Sequence, residues 1–126
     1  MATMSVCLVN AQQHKVFCEL VGTQQLFSKK VTVAVDFGQK QTFGGNNQMV
    51  DETGNKIVFN SMVDAMNFMG ELGWEFEQAY VVTHGMGKTA QNVYHWLLSR
   101  DVETGEEIIR PQTKSEYKKE MKEANQ

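Results

Sequence analysis

Residues 84–89 read His-Gly-Met-Gly-Lys-Thr, and the Gly-Lys-Thr ending is that of a phosphate-binding loop. That loop works by wrapping glycine amides around phosphate oxygens, with the lysine reaching the outer phosphates. Its spacing requires a glycine five residues before Gly87, where Val82 stands, and a helix afterwards, where the pattern turns to a loop and a strand. The better expectation is a hairpin loop whose glycines supply positive φ. His14, His84 and His95 are the imidazoles. No two of them are four apart, and Cys7 and Cys18 are too few for a disulfide scaffold. Glu75 and Glu77 are two apart and face one way on a strand, the arrangement of an acid and a base. Alternating carboxylates on a strand are far commoner as a solvated surface. No Gly-x-Ser-x-Gly elbow occurs. No catalytic, metal or cofactor-binding residue is assigned, and no cofactor is expected. The candidate ligand or partner contacts are His84, Lys88, Tyr94, His95 and Trp96.

The elements that position these residues follow from one stretch, 60–83. Met62, Ala65, Met66, Met69 and Leu72 recur at spacings of three and four, with Asp64, Asn67 and Glu71 on the other side, which predicts an amphipathic helix over 61–72. Ser61 and Asp64 form a capping-box-like pair at its start. Gly73 follows the last periodic residue, where a left-handed position stops a helix. Trp74 is expected to anchor the turn as a core residue. From Trp74 to Thr83 the alternation has period two. It sets Trp74, Phe76, Tyr80 and Val82 against Glu75, Glu77, Ala79, Val81 and Thr83.

Upstream, residues 14–21 and 31–37 alternate as strands, and 38–47 is a glycine and amide loop. Residues 48–59 suit a hairpin turning at Asp51 to Asn55, whose second strand feeds the helix. Downstream, 84–92 is a loop and 93–100 a strand that pairs with 74–83. On that strand His95 faces away from Tyr94, Trp96 and Leu98 if the strand is unbroken. Pro111, the one proline, is expected to end a domain spanning 14–110, followed by a polar tail, frayed helical or disordered.

At 126 residues, 41% hydrophobic and 21% charged, the chain suits a single domain with its own core. A net charge of −3 without a basic cluster argues against a nucleic-acid partner. No apolar run reaches the ~20 residues of a transmembrane segment. Residues 1–11 are apolar or small, with Val9 and Ala11 spaced as at a cleavage site. They read as a signal-peptide remnant, which predicts a periplasmic or secreted protein, the other reading being an ordinary first strand or frayed terminus of a cytoplasmic one.

The Leu72-Gly73-Trp74-Glu75 step, with the helix before it and the strand after, resembles a group of short uncharacterised bacterial domains sharing a helix, Gly-Trp-Glu and hairpin motif. The segments around 19–23, 35–38 and 93–98 are similar to those of small exported hypothetical proteins of Gram-negative bacteria. This resemblance implies a fold and no activity.

The expected fold is α+β: an antiparallel sheet of about five strands in the order β-β-β-α-β-β, with the 61–72 helix packed on one face. Val81, Tyr94 and Trp96 suggest that the opposite face is apolar too and needs a protein partner or a second protomer. The expected function is a non-catalytic exported binding or assembly module. The alternative is a small-ligand-binding protein or enzyme with its site between loops 38–47 and 84–92.

Overall fold

Alternating apolar residues commit these segments to a sheet with one buried face, and the connections decide the order of its strands. The computed structural model describes residues 13–25, 27–40 and 47–125. The signal-like stretch 1–11 and residues 41–46 of the glycine loop lie outside them. The elements are β1 (Gln13–Gln24), β2 (Val31–Asp36), β3 (Val58–Phe59), helix α1 (Met62–Glu71), β4 (Glu75–His84), β5 (Gln91–Glu103) and helix α2 (Lys114–Ala124). The strands make one antiparallel sheet in the order β3-β2-β1-β5-β4. The α+β class and the β-β-β-α-β-β succession are thus those read from the sequence. The long strand β1 lies at the centre, paired with β2 from Glu19↔Asp36 to Gln24↔Val31 and with β5 from Gln13↔Glu103 to Thr23↔Val93.

Residues directly opposite in an antiparallel ladder share a face. Cys18, Leu20, Val31, Val33, Val35 and Leu98 point to one side, where α1 covers them with Met62, Ala65 and Met69. Gly22 lies beneath the start of the helix, and a Cβ there would collide with Met62 Sδ, so the missing side chain sets how closely α1 approaches. The helix begins as its sequence implies. Ser61 Oγ accepts from Asp64 N–H at 3.3 Å, and the Asp64 carboxylate accepts from Asn60 N–H at 3.0 Å.

The helix end is a Schellman turn. Gly73 has φ +95°, its N–H donates to Gly70 O at 3.0 Å, and Trp74 N–H donates to Met69 O at 3.1 Å. The Arg100 guanidinium donates to Leu72 O, placing a cation at the negative end of the helix dipole, and lies 3.5 Å from Glu106. Trp74, only 3% exposed, meets Phe37 at 6.4 Å between ring centroids and donates from Nε1 to Ile109 O at 2.9 Å. One turn therefore ties α1, β5 and the segment after β5 together.

Pro111 does not mark the end of docked chain. Val50 N–H donates to Gln112 O, Lys114 N–H to Gln48 O, and Thr113 bridges Met49. Thr113 is buried and its hydroxyl caps α2, whose own residues are all unburied, though Tyr117 packs on Gly54.

In β4 the strict alternation fails. A bulge between Phe76 and Gln78 shifts the register, so that Phe76 pairs with Leu98 but Ala79 pairs with Trp96. Phe76, Ala79 and Val81 consequently share the α1 side, and Tyr80 and Val82 turn to the other. The grouping of Phe76 with Tyr80 and Val82 is corrected accordingly.

Two outcomes check this account. Gly73→Ala forces a Cβ to 2.7 Å from Arg100 Nη1 at a left-handed φ. It is expected to cost about 1–3 kcal/mol in urea unfolding. The Cys18 thiol is pushed up from 9.0 to about 12, chiefly by burial, with Arg110 opposing and Asp36 adding to it. The unfolded chain loses this proton first, so stability should be intact below pH 9.0 and fall as pH rises from there toward 12. In a Cys7→Ser background, thiol reagents should modify Cys18 only as the protein unfolds; rapid modification of the native state would contradict the burial.

Candidate functional site

Of the strands, β4 is the least covered. All ten residues of β4 are exposed, and β4 forms one free edge of the sheet. The loop joining the strands uses Gly85 at φ +86° and Gly87 at φ +60°, followed by a three-residue 3₁₀ turn, Gly87–Thr89. The Gly-Lys-Thr sequence thus sits in a hairpin end with β5 directly after it, the geometry expected from the missing glycine at 82. Lys88 and His84 are both exposed at this end, with His84 opposite Gln91.

The other three candidates divide between the faces. Tyr94 and Trp96 lie on the α1 side, half-buried against the margin of the core. Trp96 meets Phe76 edge-on at 5.1 Å, and Tyr94 donates from its hydroxyl to Gln24 Oε1 at 3.3 Å. With Lys29, Val31, Met62 and Val63 they line an open groove of about 370 Å³. Val81 pairs with Tyr94, so Val81, Tyr94 and Trp96 are on the helix side, not on the face away from the helix as first read. The bulge and the unbroken β5 fix that side.

The face away from α1 has its own apolar residues. Phe17, 50% exposed, Val21, Val93, Leu97, Tyr80 and Val82 surround a polar centre in which His95 Nδ1 lies 3.0 Å from Glu19 Oε1. Tyr80 stacks on His95, with 4.5 Å between centroids and 1° between planes. His95 faces away from Tyr94, Trp96 and Leu98, as the strand parity requires. The Tyr80 and Glu19 contacts carry no local sequence signal, because they join residues 15 and 76 positions from His95.

The arrangement offers recognition more readily than chemistry. Ser99 is buried and donates its hydroxyl to Glu77, but on β5 it is four residues from His95. Four strand residues span about 13 Å, too far for the imidazole to take the hydroxyl proton. Asp51 is held below the usual carboxylate range by hydrogen bonds from Thr53 and Asn55, with burial opposing, and these bonds build its own turn. Cys18, the strongly shifted group, sits in the core. Among the described residues, no three of His, Cys, Asp or Glu cluster as metal ligands.

Of the loops of the alternative reading, the described residues 38–40 and 84–91 leave the sheet in opposite directions. Residues 38–40 follow β2 at its Glu19 end, whereas 84–91 adjoin the Thr23 end of β1. Gln39 and Lys40 instead line a hollow of about 240 Å³ with Arg110, Thr113 and Glu116.

The two tryptophans should respond differently to truncation. Trp74→Ala is expected to cost about 3–5 kcal/mol in urea unfolding, and Trp96→Ala distinctly less. Equal losses would move Trp96 from the surface to the core.

No protein-family model, curated protein or solved structure matches the chain, so its functional reading rests on the β4–β5 surface itself.

Proposed function

We propose that this chain is a non-catalytic binding or assembly module that docks a protein partner through the β4–β5 hairpin. The observation that carries the reading is β4 itself: ten exposed residues at a free sheet edge, with an uncharged centre from Gln78 to Thr83. Phe76, Tyr80 and Val81 are 48%, 52% and 53% exposed. A neutral stretch of strand with one unpaired edge is a template for another strand, and monomeric proteins normally blunt such an edge with charge, proline, a bulge or a cover. None of these stands within 78–83. Export is a further part of the proposal and rests only on the apolar residues 1–11. No helix among the described residues is long and apolar enough to cross a membrane. The alternative of a ligand or enzyme site between loops 38–47 and 84–92 draws no support from the described residues 38–40 and 84–92.

Photo-crosslinking in the producing cell tests the docking surface. A benzophenone side chain at Tyr80 should yield a discrete protein adduct, and one at Lys122 on α2 should not. Absence of any adduct from positions 76, 80 and 81 in the folded protein would remove the proposal.

A further inference from the structure

We propose that the partner of the β4 edge is a second copy of this chain, added antiparallel about a twofold axis perpendicular to the sheet. This inference rests on the docking role of β4–β5 and names its occupant. The two edges of the sheet are unequal. The far edge ends in β3, two residues long, and is continued past Ala34 by Gln48 and the segment paired with residues 112–114. It gives a ten-residue strand nothing to pair along. Edge-to-edge stacking in one direction, which makes filaments, therefore has no second template, whereas β4 against β4 closes on itself.

The chemistry of the edge points the same way. A strand added beside β4 meets Ala79 and Val81 on one face and Tyr80 and Val82 on the other, so it must be apolar on both faces and uncharged at its middle. β4 has that composition. Its ends differ as well: Glu75 and Glu77 lie at one, and His84 at the other, with Lys88 in the turn beyond it. Antiparallel self-pairing sets the carboxylates of each copy beside the His84 and Lys88 end of its neighbour, whereas parallel pairing would align like charges. A twofold axis perpendicular to the sheet also matches each face with itself, so the Tyr80 and Val82 row and the Phe76 and Trp96 row would each continue across the junction.

The test is the mass of the full chain by light scattering over a concentration series. The expected result is a rise from 14.3 kDa to twice that value. Tyr80→Lys and Val81→Lys, both at exposed positions, should weaken association by at least about tenfold because lysines then meet across the axis, with the far-ultraviolet circular dichroism of the folded chain retained. In a Cys7→Ser background, single cysteines at 79, 80 and 81 should give a disulfide-linked dimer most readily at the position nearest the axis. A monomer at every concentration, a dimer indifferent to both lysine variants, or a cysteine scan without dimer would each overturn the proposal. If the Tyr80 crosslinker captures a different protein while the chain stays monomeric, self-pairing fails and the docking role stands. If nothing is captured and the chain is monomeric, both fail.

Discussion

The structure depends on a mismatch between one short helix and a wide sheet. Ten helical residues extend about 15 Å, whereas five strands span roughly 20 Å and a ten-residue strand runs some 33 Å. The helix α1 therefore shields β1, β2 and the near part of β5, where Cys18, Leu20, Val33, Val35 and Leu98 are buried. Its contact with β4 is slight, and all ten residues of that strand stay exposed. Apolar residues of β4 stay exposed on both faces and those of the outer half of β5 are only half-buried, so an α+β domain with a sound core is left with an unfinished edge.

What fixes the helix over that strip is its C-terminal turn. Gly73 takes the left-handed conformation, Arg100 crosses from β5 to Leu72 O at the helix end, and Trp74 fills the space below while holding Ile109 O. These contacts join residues far apart in the chain, so loosening one releases three elements. The burial of Trp74 also explains why residues 105–110 stay docked although they contain no regular structure: the indole N–H satisfies a carbonyl that no strand pairs.

Much of the fold was legible because it is written locally. The stripe of Met62, Ala65 and Met69, the Ser61 cap and the Gly73 stop gave the helix to within a residue of its ends, and the Val31, Val33 and Val35 alternation gave β2. The order of strands was not legible, since placing β1 between β2 and β5 depends on pairings across about 80 residues. The bulge at Glu77 was hidden as well: composition there still alternates, and the extra residue reverses the face of everything after it. Of the candidate site, Tyr94, His95 and Trp96 were correctly divided by parity. Glu19 and Tyr80, which complete the His95 cluster, come from other strands and left no mark near it.

The same bulge bears on how an unfinished edge is tolerated. Bulges and charged residues both interrupt strand addition. In β4 they coincide, with Glu75 and Glu77 beside the irregularity in the first half of the strand. The first half is thereby a poor template, and the ladder that a partner can extend is confined to Gln78 through Thr83. Restriction of this kind separates specific association from indiscriminate aggregation, because a short neutral window flanked by charges favours few registers. A bulge and charges protect an edge wherever they stand, and here they protect only its first half. On the proposed docking role, Gln78 to Thr83 is the stretch that a partner strand would extend, and the flanking irregularity sets where that ladder must stop.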